Sequence, residues 1–588
     1  MGPIRLASYP QDSTAVLFRI HGASQGRGRG GSLELGRWQG ACAVLLFCAA
    51  VTMAAPAQTL TTLLTFDGSN GSDPYVMALV QGTDGNFYGT TSNVQFTNGG
   101  TVFKTTAAGT LTTLYNFCPQ TPCVDGTQPY AAPILGIDGN FYGTTHEGGV
   151  MNHGTVFKMT PGGALTTLYS FCLKANCADG YHPHGVLVQA TDGNFYGTTK
   201  HGGANAWGTV FKITPSGTLT TIYSFNVSDG ANPTDGLIQA SDGNLYGTTG
   251  GGGNLSCSAP NGCGTVFKIT TGGQLTTLHN FSGVDGATPV AGVVQASDGN
   301  LYGTTQLGGT QNMGAIFKIT TSGTLTPMHN FNSGASQPLA GLIQATDGNF
   351  YGTTSRGGNP LVCAPAGCGT VFMMTPGGTV TTLHTFDLSD GSNPDGGLLQ
   401  GTDGTFYGTT QNGGSGGAND GTLFSLSVGL GPFVSLQRYL GKVNQPDGVL
   451  GQGFTGTSGV FFNGTPANYT VVSDTYLTTK VPAGAETGSL TVITPGGTLT
   501  SNRPFRVTPQ VLSFSPPSGA VGTVVTITGV SLTQALGVGF GDYVPAKFTV
   551  NSDTQVTATV PKGAKTGPVG IETPGGIGIS TTKFTVMP

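Results

Sequence analysis

The sequence is poor in charge: its 588 residues carry 22 Lys and Arg and 27 Asp and Glu, 8% of the chain, for a net charge of −5. Globular chains usually carry ~25%. No run of basic residues follows residue 40, so the chain lacks the phosphate-neutralising patch that a nucleic-acid partner requires. Long apolar runs are also missing, and no segment past residue 57 has the ~20 apolar residues needed to cross a bilayer. The glycines do not recur at every third position, which excludes collagen. A hydrophobic share of 37%, with 31 Phe and 18 Tyr, excludes a disordered polar chain. What the chain has instead is 100 glycines among threonines and aromatic residues, the composition of short strands and tight turns. The expected fold class is all-β.

Residues 1–57 read as a signal peptide with a long basic n-region. Arg5, Arg19, Arg27, Arg29 and Arg37 precede the apolar stretch 41–57, which ends on Ala55-Pro56-Ala57, an A-x-A cleavage site. The expected location is secreted or cell-surface, with no membrane span in the mature chain.

Past residue 57 the chain is organised by self-similarity. The string Asp-Gly-(Asn/Thr)-(Phe/Leu)-Tyr-Gly-Thr-Thr begins at Asp84, Asp138, Asp192, Asp242, Asp298, Asp347 and Asp403, 49 to 56 residues apart. Each copy offers short β-branched and aromatic runs between Gly and Asp turns. These are an apolar run such as residues 236–240 (strand a), Asn-Leu-Tyr-Gly-Thr-Thr (b), Gly-Thr-Val-Phe-Lys-Ile-Thr (c) and Leu-Thr-Thr-Leu-Tyr-x-Phe (d). A four-stranded antiparallel meander is one propeller blade, so residues 58–431 predict a seven-bladed β-propeller. The last copy stops after strand c, and an orphan strand-d sequence precedes the first copy. Residues 60–66 are therefore expected to close the last blade, which removes the open sheet edges of an unclosed array.

With that order, the a–b and c–d turns share one face and the b–c and d–a loops share the other. Length variation concentrates on the second face, where d–a loops reach eleven residues at 118–128 and 172–182, and b–c loops fourteen at 250–263 and 355–368. All eight cysteines past residue 57 lie in those four loops: Cys118 and Cys123, Cys172 and Cys177, Cys257 and Cys263, Cys363 and Cys368. Export with even, local pairing predicts four disulfides; free thiols or a metal site are the alternatives, and the spacing is not the C-x₂-C of common zinc sites.

Residues 432–508 and 509–588 are two copies of a further unit. VFFNG at 460–464 matches VGFGD at 538–542, SDT recurs at 473–475 and 552–554, and TPGG recurs at 494–497 and 573–576. Short alternating strands with turns every ~8 to 12 residues predict a β-sandwich for each. PPSGAVGTVVTITG at 516–529 resembles the opening of an IPT/TIG domain, which implies an immunoglobulin-like fold; the opening of the first copy has diverged. The DGN(F/L)YGTT and GTVFKIT strings across 59–427 resemble the GloVer tandem repeat of exported bacterial proteins.

An active site would have to be built from residues that depart from the repeated template, and few ionisable ones do. The repeat region holds one Arg (Arg356) and one Glu (Glu147), and most of its Asp residues sit in repeated turns. One arginine cannot form a sialidase triad, no D-x-D-x-D-G calcium loop occurs, and Trp207 is the lone tryptophan past residue 57. The off-template carboxylates are Asp67, Asp73, Asp235, Asp387, Asp395, Asp420 and Glu147, and two of them would suffice as acid and base on a glycosidic bond. His182 and His184, with His146, His153 and His201, form the densest group of imidazoles on the variable face; a metal site is the alternative reading, exposed loop histidines the simpler one, and no metal is assigned. His279, His329 and His384 occupy the strand-d slot that Tyr115, Tyr169 and Tyr223 fill elsewhere, as packing residues.

The expected function is binding or adhesion without catalysis and without a cofactor, to an extracellular glycan, another neutral polymer or a surface protein. Tyr181, His182, His184, Trp207 and Arg356 are the candidate contacts, on the loop-bearing face where variation rides on a rigid scaffold. A secreted polysaccharide hydrolase or lyase and a structural cell-envelope spacer are the competing readings.

Overall fold

The computed structural model describes residues 58–588 except 76–77, 94–98, 259 and 416–418; the signal-peptide reading of 1–57 lies outside them. Among the described residues there is no α-helix, only a 3-10 turn at Ala175–Cys177, and the strands form small sheets, most of them four-stranded. No helix among them is long and apolar enough to cross a membrane.

Each Asp-Gly repeat is one antiparallel sheet in the order a-b-c-d. In the second, Ile134–Leu135, Phe141–Thr145, Thr155–Met159 and Leu165–Ser170 pair in sequence. Strand a is two residues long in every copy, shorter than the apolar run predicts, because the run bends at once into the turn: the Ala240 N–H donates to Asn244 O at 2.9 Å, and Gly243 N–H returns to Ala240 O. The third sheet gains an extra strand, Tyr181–Pro183, on the outer half of Phe195–His201. The seventh holds Leu399–Gln400, Phe406–Thr410 and Thr422–Ser427, and its fourth strand is Thr59–Thr65, from the opposite end of the array. Thr59 lies opposite Ser427 and Thr65 opposite Thr422.

The repeated residues explain the repeated sheet. Strand b is fully buried, and its glycine admits the strand-c phenylalanine: a Cβ on Gly143 would stand 2.5 Å from Phe157 Cζ. The Asp-Gly-Asn turn needs its glycine because the backbone there is left-handed, φ +77° at Gly139. Asp138 then accepts from the Asn140 backbone N–H (3.1 Å), Asn140 Nδ2 (2.9 Å), the Tyr142 hydroxyl (2.8 Å) and Lys158 Nζ (2.9 Å). The repeated Asp is thus a turn-holding group, spent on structure in each copy.

Two contacts recur between successive sheets. The strand-b tyrosine packs on the first strand-b residue of the following sheet, an aromatic in five of the seven, as Tyr88 on Phe141 (4.1 Å between centroids) and Tyr351 on Phe406 (4.3 Å), and a leucine in the other two, where Tyr196 shares a core with Leu245 and Tyr246 with Leu301. The strand-a glutamine accepts from the turn of the preceding sheet, as Gln239 Oε1 from Thr191 N–H at 2.9 Å. Both contacts also run from the seventh sheet to the first: Tyr407 lies 4.0 Å from Phe87, and Gln81 Oε1 accepts from Thr402 N–H at 3.1 Å. The glutamine is Leu135 in the second sheet.

Residues 435–507 and 510–586 repeat one arrangement. In the later copy, Gln510–Ser515, Val524–Val530, Gln555–Thr559 and Lys547–Ser552 form one sheet; Gly576–Val586, Gly567–Thr573, Gly537–Phe540 and Val544–Pro545 belong to the other. Val525, Ile527, Val538, Phe540 and Phe584 share its core. The earlier copy has the same strand order around Val449, Phe462, Leu477, Val492 and Phe505.

The earlier copy packs against the a–b turns of the repeats. The Thr475 hydroxyl donates to Thr83 O (2.8 Å), and Phe433 N–H donates to Thr402 O (3.0 Å). Gln437, Arg438 and Tyr439 face the strand-a residues Gln239 and Gln295 across a cavity of about 280 Å³. The d–a and b–c loops lie at the other end of the strands.

Candidate functional site

Every d–a loop ends on the same local geometry. The residue before the loop's closing proline is left-handed in all seven copies: Asp73 (φ 58°), Gln128 (54°), His182 (55°), Asn232 (53°), Thr288 (55°), Gln337 (55°) and Asn393 (54°). A non-glycine residue there is costly, and such strain gathers at functional positions. All seven are polar and of five types, with Gln and Asn each used twice. After the proline come Tyr75, Tyr130, His184, Thr234, Val290, Leu339 and Asp395, different again except for the two tyrosines. The strands repeat, and this x-Pro-x tripeptide diverges.

The first three repeats bring aromatic and imidazole rings together here. Tyr75 meets Tyr130 at 5.2 Å between centroids, Tyr130 meets His146 at 4.8 Å and His184 at 5.2 Å, and His146 stacks on His182 at 4.5 Å. Tyr181 joins through His153 (5.0 Å) and His201 (5.4 Å). The group is half-buried, in contrast to the exposed loop histidines of the sequence reading, because strand Tyr181–Pro183 folds it against its neighbours. Burial, then neighbouring imidazoles and the Lys200 ammonium, push His146 down to about 3 and His182 to about 4. His184 falls to about 4 through burial and Lys200, although its Nδ1 lies 2.8 Å from Thr234 O. At neutral pH these rings are uncharged.

A second group contains the carboxylates. Asp395 is 4% exposed and one of its oxygens has no partner; burial pushes it up to about 7, aided by Asp73 and opposed by a Ser355 hydrogen bond and the Arg356 charge. Asp73 is held by Ser92 Oγ and Asn93 Nδ2, each at 3.0 Å. Burial raises Tyr75 as well, with Asp395 and Asp73 adding to it. Asp235 accepts from the backbone N–H groups of Gly236 (2.6 Å) and Gly292 (2.5 Å) and ties two repeats together. Asp67 and Asp387 hold their own loop turns through Ser69 and Ser389.

Of the five candidate contacts, Tyr181, His182 and His184 come together, and Arg356 lies with Asp395. Trp207 is 40% exposed and makes no ring contact with the cluster among the described residues. The sequence reading missed Tyr75, Tyr130 and the acidic character of Asp395's surroundings. Their signal was the proline itself, which marked loop ends while its flanking residues passed unaligned. His279 and His384 do more than pack: each Nε2 meets the aspartate of the d–a turn, Asp285 at 2.7 Å and Asp390 at 2.8 Å, as Tyr115 does Asp125. The disulfides Cys118–Cys123, Cys172–Cys177, Cys257–Cys263 and Cys363–Cys368 are all formed in the lengthened loops.

Three overlapping spans, 49–259, 130–361 and 255–473, match the Gloeobacter/Verrucomicrobia repeat. The chain belongs to this family. The third match runs past the last repeat sheet into the first sandwich, and residues 509–586 match the IPT/TIG domain. No curated protein matches. Among solved structures, a fungal alcohol oxidase of the AA5 family in complex with copper is 13% identical, with 90% of this chain and 98% of that one covered and a TM-score of 0.40. The surface glycan-binding protein PbSGBP-B from Prevotella bryantii is 20% identical over 26% of this chain and 39% of its own (TM-score 0.20). A putative gluconolactonase is 15% identical over 50% and 87% (TM-score 0.31).

Proposed function

We propose that this family member is an exported binding protein whose seven sheets are the blades of one closed propeller, with residues 59–65 completing the last. Its ligand is a neutral polymer, a carbohydrate before a surface protein, taken at the loop-bearing end. The two sandwiches, 432–508 and 509–588, support it from the other end. The observation that carries this reading is the x-Pro-x series: seven copies of one backbone geometry, held under strain, presenting five different polar residue types before the proline and, in the first three copies, tyrosine or histidine after it. Uncharged imidazoles and the faces of Tyr75, Tyr130 and Tyr181 suit stacking and hydrogen bonding to a neutral sugar better than a charged ligand. The disulfides fit an oxidising, extracellular setting. The repeated aspartates are consumed by turns, which leaves little for catalysis.

One observation favours hydrolysis as a second reading. Burial pushes Asp395 up to about 7, with the Asp73 charge adding to it, and a carboxyl held protonated near neutral pH with a second carboxyl in its surroundings is what glycosidic cleavage uses. Polysaccharide pull-down and glycan-array binding, run beside a product assay on the same polymers, test both. Binding without product supports the first reading, and turnover abolished by Asp395→Asn replaces it with the second. Neither binding nor turnover rejects both.

A further inference from the structure

We propose that His146, Glu147 and His182 hold one divalent transition-metal ion of the zinc class at the loop-bearing end of the array. Their ligand atoms lie within 4.8 Å of one another. Two imidazole nitrogens and a carboxylate oxygen form the donor set that zinc and its neighbours take, and the tetrahedral spacing of ~3.3 Å between donors is within reach of small side-chain rotations.

The backbone under these side chains is fixed. His146 N–H donates to Gln128 O (3.0 Å), Glu147 and Thr127 exchange backbone hydrogen bonds (3.1 and 2.8 Å), and His182 N–H donates to His153 O (3.0 Å). His182 also occupies the left-handed position where its counterparts carry Asp, Gln, Asn or Thr. His146 Nδ1 is buried without a hydrogen-bond partner, and so is His153 Nδ1, whose ring is 5.5 Å from that of His182. A buried nitrogen lone pair left unsatisfied is costly, and a metal ion satisfies it. Cys172 and Cys177, the other soft donors near His153, are consumed in their disulfide. His184 is engaged with Thr234 O. Glu147 is the anionic donor of the set, and Lys200 is the cation that acts on both rings. Three protein ligands leave a fourth position for an oxygen of a bound molecule.

The test uses the full exported chain without a histidine tag, titrated with zinc chloride by calorimetry and analysed for bound metal after dialysis. About one equivalent is expected, with His146→Ala and His182→Ala each weakening it roughly 100-fold or more, and His279→Ala leaving it unchanged. Circular dichroism checks folding, and Glu147→Gln, which preserves shape, stands in for any histidine variant that does not fold. The proposal fails if the wild-type chain retains no zinc, if folded His146→Ala and His182→Ala bind it undiminished, if Glu147→Gln does so where it replaces them, or if His279→Ala loses it equally. None of these outcomes depends on whether a polymer binds.

Discussion

The two ends of the repeated sheets come from the same seven copies and obey different constraints. At the a–b end the Asp-Gly-Asn turn recurs almost unchanged, the strand-a glutamines bond from sheet to sheet, and a sandwich covers part of the surface. At the other end the loops vary in length, carry the four disulfides, and hold seven residues of five types in one strained conformation. Repetition marks what joins the sheets to one another, because each join must fit the same neighbour. Divergence marks what those joins leave unconstrained, and there the imidazoles, tyrosines and buried acid have gathered.

The sharpest way to break this contrast is to attack the join on which both ends depend. Phe66 is fully buried where the N-terminal strand enters the seventh sheet, 5.5 Å from Phe103 of the first. Phe66→Ala should cost about 3 to 5 kcal/mol in denaturant unfolding. A cost below ~1 kcal/mol would mean that the joint between last and first sheets contributes little.

A carboxyl at the divergent end gives a pH signature. Asp395 titrates at about 7 in the folded chain against 3.8 when exposed, so the folded state binds the extra proton between those values. Stability that is intact below pH ~4 is therefore lost as pH rises toward 7. Asp395→Asn removes that penalty: it should be more stable than the wild type by roughly 2 to 4 kcal/mol at pH 8 and no more stable at pH 4. Thermal melts at the two pH values read the difference. Asp447, pushed up to about 7 by burial in the first sandwich, adds a similar slope that Asp395→Asn leaves in place.

The disulfides should matter more for loop shape than for the fold. Each links cysteines five or six positions apart, worth ~2 kcal/mol on the loop-entropy estimate. Replacing Cys172 and Cys177 by Ser should lower stability by about that amount while changing the near-ultraviolet spectrum of the tyrosines around His153. An unfolded variant would make the divergent end a determinant of the fold. The smallest effect belongs to the covered end, where Thr475→Ala removes one hydrogen bond to Thr83 O and should cost about 1 kcal/mol. A larger loss would show that the sandwich helps hold the array together.

Much of this was legible from local pattern. A glycine between aromatics on a strand, an Asp-Gly turn and an offset copy at each end are short-range signals, and each specifies a sheet. The tie between Tyr or His on strand d and the aspartate of the following turn was not legible, since ten residues separate Tyr115 from Asp125 and only the fold of the loop brings them together. Nor was the company of His146 and His182, which lie in neighbouring copies, or the burial of Asp395, which reads in sequence like any loop acid.

By itself the sequence determined the number of copies, their four strands, the all-β class and the local pairing of cysteines, because each depends on residues close together in the chain. Only the tertiary structure decided that the a–b turns would be covered, that seven pre-proline residues would share one strained geometry, and that histidines 36 residues apart would stack. Those follow from which copies become neighbours and from how much water each side chain loses there, quantities that burial sets and sequence spacing does not.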